Sequence, residues 1–170
     1  MILIHLLLCY MEFCNKTLEL LKTKIPNIRH IELKEMDIDD DKYNDCMGYT
    51  HTEAVSDGKW TYINSNNRSY PIKATKIIIR TIDYDQNTLQ NKKLLQTLLH
   101  ETAHCIAPHT EVKVKKKWYI DEHTDLFYYH YLTIIRVALE LKFDISSQLL
   151  NLKNLKRYDQ INLLDNSVIC

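Results

Sequence analysis

A chain of 170 residues, with 22 Lys plus Arg against 22 Asp plus Glu and 45% hydrophobic residues, is long enough to build one domain with its own core and no disulfide support. The balanced charge excludes a protein that binds nucleic acid or an anionic membrane through its overall field, and leaves only local patches. The two glycines are Gly48 and Gly58, so nothing from residue 59 onward can form a Gly-rich phosphate loop, and P-loop and Rossmann nucleotide sites are excluded.

Scarce Gly and Pro also argue against a sandwich or barrel of many short strands, and point to a helix-rich α+β domain. The five cysteines, Cys9, Cys14, Cys46, Cys105 and Cys170, are odd in number and lack a CxxC pair. They read as reduced thiols of an intracellular protein, in cytoplasm or nucleus.

The chain opens on an apolar run, residues 2–10 (ILIHLLLCY). No basic residue precedes it and no small-residue cleavage site follows, so it is a poor signal peptide. It is also far short of the roughly 20 residues that span a bilayer. A buried strand or the opening turns of a core helix is expected, with a membrane anchor as the alternative.

Residues 11–25 place Phe13, Leu18, Leu21 and Ile25 at helical spacing before Pro26, which predicts an amphipathic helix. A short strand is expected over 28–33. The acidic stretch 37–45 lacks the Gly and terminal Glu of a calcium loop and reads as solvated surface. Residues 46–72, with both glycines and Pro71, read as loop-rich, with room for a short strand at Trp60, Tyr62 and Ile63. The β-branched run 74–82 (ATKIIIRTI) is the best strand in the sequence.

Two long helices are predicted next, over 88–106, stopping before Pro108, and over 121–142 with Asp121 as N-cap. A basic connector with some strand character, 110–119, joins them. A last helix is expected over 145–158. The absence of repeats and linkers makes 1–170 a single domain, with a catalytic core over about 74–142.

His100-Glu101-Thr102-Ala103-His104 is an HExxH motif on the first of these helices. At about 100° per residue, the two histidines lie roughly 40° apart on one face. Leu95, Leu98, Leu99 and Ile106 lie on the far side. One face is then core, and the other offers two imidazoles one turn apart, a spacing from which both nitrogens can reach one zinc ion at about 2.0–2.1 Å. Glu101 projects beside them, placed to take a proton from an attacking water rather than to bind metal. The plain alternative is the polar face of an ordinary surface helix.

Catalytic zinc usually has three protein ligands and one open position. Three residues could complete the set. His109 follows five residues after His104, but Ala107 and Thr110 stand where the pattern HExxHxxGxxH needs Gly and His. Glu122 would supply a carboxylate from a later helix. His123 opens the helix whose inward stripe is Phe127, Tyr131, Ile134, Ala138 and Leu141, so it points inward at the end of a core helix and is the preferred third ligand.

LLHETAHC, followed by HTDLFYYHYLTIIRVALELK, resembles the WLM and SprT-like zinc metallopeptidases, whose signature is HExxH and then a His-x-x-x-Phe segment opening the next helix. Small proteins of this kind occur in large DNA viruses, and the Lys-, Asn-, Ile- and Tyr-rich composition suits such a source. The resemblance covers about residues 74–142. It implies a minimal zincin-like domain with a small sheet packed on the active-site helix, zinc on His100, His104 and His123, and Glu101 as the catalytic residue. The family often has Gly directly before its third His, where this chain has Glu122.

Such a site hydrolyses an amide, so a protein or peptide is the expected substrate, paired in extended form along the edge of strand 74–82. Tyr128, Tyr129, His130 or Tyr131 could serve the developing oxyanion. Lys113, Lys115, Lys116 and Lys117, followed by Trp118 and Tyr119, read first as a solvated loop and second as a weak DNA contact, which would suit relatives that cut DNA-crosslinked proteins. The rival from another class is a non-catalytic module in which zinc staples two helices and the surface binds protein or DNA. Glu101 favours the enzyme, because a structural zinc site has no use for that carboxylate.

Overall fold

The computed structural model describes residues 2–37, 46–81 and 91–145. Among these residues it is a mixed α+β fold of three α-helices and two small sheets. The expected acidic surface stretch 37–45, apart from exposed Asp37, and the expected helix 145–158, apart from buried Ile145, lie outside the described residues.

The apolar opening run and the predicted helix 11–25 are one helix, α1, Ile2–Lys24. Cys14, Leu18 and Leu21 are buried along it at spacings of four and three, the period of one helical face. Among the described residues no helix is long and apolar enough to cross a membrane. The chain leaves α1 through a 3-10 turn at Pro26–Ile28 and enters β1, Glu32–Glu35, later than the expected 28–33. Ile28 and Ile31 are buried through this turn, so the apolar signal in the segment belongs to the turn and not to a strand.

The stretch expected to be loop-rich is the largest correction. It holds β2, Gly48–Ala54, β3, Thr61–Asn64, and β4, Asn67–Tyr70, and leads directly into β5, Ile72–Ile79. These strands are half or fully exposed and carry mostly polar residues, so they lack the apolar alternation that reveals a strand in sequence. The expected connector 110–119 is likewise a hairpin of β6, His109–Val114, and β7, Lys117–Ile120.

The first sheet has the order β1-β5-β2, with β5 parallel to β1 and antiparallel to β2. β5 is therefore the central strand. Ala74, Ile77, Ile78 and Ile79 are buried along it, which fits a strand paired on both sides. It cannot offer an edge to a peptide, as its position before the helix had suggested. Among the described residues the strand at the edge of this sheet beside the helix is β2. The second sheet is antiparallel in the order β3-β4-β6-β7. On one of its faces the Arg68 guanidinium lies 4.3 Å from the ring centres of both Trp60 and Trp118, and its Nε donates to Glu111 Oε2 at 2.7 Å.

Helix α2, Asn91–His104, packs on β2 and β5 and against α1 and α3, Asp125–Glu140. Leu94, Leu95, Leu98 and Leu99 of α2 meet Phe127, Tyr131, Ile134 and Ala138 of α3 and the isoleucines of β5 in one core. α3 begins four residues later than predicted. Asp121 is not its N-cap but accepts from the His123 backbone N–H at 3.1 Å, holding the turn before the helix.

A glycine-poor chain has to make left-handed backbone from other residues. Lys115 and Lys116 turn the β6–β7 hairpin at φ 49° and 70°, and Lys142 ends α3 at φ 62°. At the end of α3, Lys142 N–H donates to Leu139 O at 2.9 Å and Phe143 N–H to Ala138 O at 3.0 Å, a Schellman closure in which Gly is the preferred residue. Lys142→Gly is expected to stabilise the fold by about 1 kcal/mol, raising Tm by about 2–4 °C in a thermal melt. An unchanged or lower Tm would show that the position carries no conformational cost.

Candidate metal centre

Two residues of α2, His100 and His104, stand one turn apart near its C-terminal end, and His123 reaches them from the turn before α3. His100 Nε2 lies 3.2 Å from His104 Nε2 and 3.0 Å from His123 Nε2. Among the described residues these three histidines form the one group of metal-ligating side chains close enough to hold an ion, with ligand atoms all within 4.8 Å of one another. Tetrahedral zinc with bonds of about 2.0–2.1 Å separates its nitrogens by about 3.3 Å, so the donor set fits such an ion. One N–H can bridge a single pair of these nitrogens, whereas a cation uses a lone pair on each.

Phe127 sets the orientation of the three rings. It is 2% exposed, and its ring centre lies 4.3 Å from His104, 4.8 Å from His123 and 5.0 Å from His100. Tyr131, one turn further along α3, stacks on Phe127 at 5.9 Å and meets His100 at 5.7 Å. The apolar floor also removes water from one side of the imidazoles. In the metal-free protein burial pushes His100 down to about 4, helped by the charge of His123. It pushes His104 down to about 3, with His100 and His123 adding to the effect. Both rings are therefore neutral near pH 7, the state in which imidazole binds a metal.

Glu101 lies between the two helix histidines in sequence but turns toward β2. It is 5% exposed, and Thr50 Oγ1 on β2 lies 2.8 Å from its carbonyl oxygen and 2.9 Å from Oε2. Burial pushes the carboxyl up to about 7, with the Thr50 hydrogen bond working against that rise and the charge of Glu122 adding to it. Thr50 was not visible as a site residue in the sequence, because a threonine in a polar stretch carries no motif.

A cleft of about 830 Å³ opens over these groups. His100, Glu101, His104 and His123 line it with the start of β2 on one side and His109, Ile120 and Glu122 on the other. His109 sits at the start of β6, packed edge-on against Trp60 at 6.0 Å, and is outside the histidine group. Glu122 is exposed on the cleft wall and also outside the group. Of the four residues considered for an oxyanion, Tyr128, Tyr129, His130 and Tyr131, none lines the cleft. Tyr131 is buried in the core, and Tyr129 and His130 pack on each other at 5.4 Å. The four lysines of the β6–β7 hairpin are exposed, with Lys113 Nζ 5.5 Å from the Trp118 ring centre. The described cysteines, Cys9, Cys14, Cys46 and Cys105, form no disulfide.

Comparison of the chain with protein-family models, with curated proteins and with solved structures finds no match.

Two predictions follow from this geometry. His123→Ala is expected to lose bound zinc and His109→Ala to retain it, measured as metal content after dialysis; zinc lost only in the His109 variant would reassign the third ligand. The depressed histidines also set a pH dependence. The unfolded chain takes up protons near pH 6.5, while folded His100 and His104 take them up only near 4 and 3, so the metal-free fold loses stability as pH falls through this window. The raised carboxyl of Glu101 acts in the opposite direction between about 4.5 and 7, but it is one group against two. Replacing both histidines with Gln should flatten the fall in Tm between pH 6.5 and 4, and an unchanged slope would contradict the desolvation assigned to them.

Proposed function

We propose that this protein is a zinc-dependent metallopeptidase of WLM or SprT-like type that hydrolyses peptide bonds in protein substrates. The observation that carries the reading is the convergence of three imidazole nitrogens on one point of an open cleft that also holds the buried carboxyl of Glu101. Among the described residues no fourth metal-ligating side chain joins the three, so an ion held by them would keep a place for water or substrate. A zinc ion that merely stapled α2 to the turn before α3 would need neither the open position nor the carboxyl group.

The chemistry that zinc supplies when bound here is Lewis acidity toward a substrate carbonyl and a lowered pKa for the attacking water. Glu101 accepts the proton that this water gives up and hands it to the departing amine. A carboxyl group held up near neutrality by burial both takes and returns a proton at working pH, which an exposed glutamate does poorly. The substrate lies in extended form along the edge strand β2, whose residues Gly48, Thr50 and Thr52 line the cleft. Main-chain pairing there is indifferent to side chains, so it suits an unfolded or flexible protein segment.

The second partner considered, DNA, draws support from the exposed Lys113, Lys115, Lys116 and Lys117 on the hairpin beyond the cleft and from Tyr62, 65% exposed on β3 of the same sheet. On this reading the lysines follow phosphates of a nucleic acid that carries the protein substrate.

Glu101→Gln is expected to retain zinc at the wild-type stoichiometry and to lower kcat by a factor on the order of 10²–10⁴, the usual worth of a positioned acid–base group. Metal analysis beside digestion of an unfolded protein such as casein provides the check. Equal cleavage by the two proteins would refute the mechanism, and chelation should abolish wild-type cleavage, with zinc restoring it.

A further inference from the structure

We propose that Thr50 is a positioning residue, whose hydroxyl reaches from the edge strand β2 and fixes the direction in which the Glu101 carboxylate points. The proposal rests on the hydrolytic reading above. A glutamate side chain has three rotatable bonds, and on a helix beside an open cleft it samples several directions unless something holds it. Here a hydroxyl stands within reach of it, because Thr50 Oγ1 lies 2.9 Å from Oε2 and 2.8 Å from the Glu101 carbonyl oxygen. The hydroxyl has one proton and donates to one of these acceptors at a time, and an ionised carboxylate is the stronger acceptor.

An independent feature of the same strand makes this reach possible. Gly48 lies two residues before Thr50, hence on the same face of β2. A Cβ at Gly48 would come within 2.7 Å of Thr97 Cγ2, 3.0 Å of the Ile78 carbonyl oxygen and 3.3 Å of Glu101 Cγ. No glycine among the described residues has a positive φ, so what Gly48 provides is space rather than an unusual backbone. The missing side chain lets β2 lie directly against α2 at Thr97 and Glu101, and that approach brings the Thr50 hydroxyl to hydrogen-bond distance. Two residues of one strand thus form a seat for the carboxylate. Neither is a metal ligand, since both stand apart from the histidine group.

The test compares Thr50→Val, which keeps shape and strand preference and removes the hydroxyl, with Thr50→Ser, which keeps the hydroxyl. Thr50→Ala serves as a second hydroxyl-free variant should the valine protein fail to fold. All are examined as the zinc-loaded full chain. Zinc content is expected to match wild type throughout, while the hydroxyl-free variants lose about 10²-fold in kcat at nearly unchanged KM and Thr50→Ser stays close to wild type. Crystal structures of the same proteins should show the Glu101 carboxylate displaced or in several rotamers without the hydroxyl, and in its original place with serine. Wild-type kcat in the hydroxyl-free proteins, an equal loss in Thr50→Ser, or an undisturbed carboxylate without the hydroxyl would each overturn the proposal. Should the zinc-loaded wild type cleave no protein at all, the hydrolytic reading fails by itself, and the crystallographic comparison alone decides whether Thr50 holds Glu101.

Discussion

Helix α2 has to bury Leu94, Leu98 and Leu99 completely while holding two imidazoles and a carboxyl group at the border of water. The rest of the structure depends on how this is met. A period of 3.6 residues lets one helix carry both faces, but only if different neighbours cover them. α1, α3 and β5 close over the leucines. β2 closes over Glu101, and the turn before α3 brings His123 across the end of the helix. The neighbours of α2 divide the work, α1, α3 and β5 covering its core face and β2 and the turn before α3 its cleft face.

The electrostatics follow from the same placement. Burial disfavours whichever form of a group is charged, so one environment pushes His100 and His104 down and Glu101 up. The result is a set of neutral nitrogen donors beside a carboxyl group that can hold a proton near neutrality. Phe127 has a large part in this, because a single buried ring backs all three imidazoles and excludes water from behind them. A polar residue in its place would hydrate the rings and weaken the depression of His100 and His104.

The second sheet solves a different problem. Its strands are short and largely exposed, and its hairpin turns on two lysines rather than on glycine. Cross-strand contacts compensate. Arg68 lies between Trp60 and Trp118 and is ion-paired with Glu111, which ties β4 to β6, to β7 and to the approach to β3. His109 and Ile120, on the same sheet, line the cleft.

Features that depend on neighbours along the chain were legible from the residues alone. The spacing of His100 and His104, the leucine face behind them and the stripe from Phe127 to Ala138 follow from helical geometry, but His123, expected in the first turn of that helix, stands exposed in the turn before α3. Features that depend on partners far along the chain were not legible. The order of β1, β5 and β2 puts the most strand-like segment in the centre and the polar Gly48–Ala54 at the edge, reversing the edge expected for a substrate. Thr50 acquires its contact with Glu101 only across 51 residues of chain. Helical positions are set by local hydrogen bonds a few residues apart, whereas the pairing of strands and the residues facing a helix across a sheet emerge only when the whole chain packs.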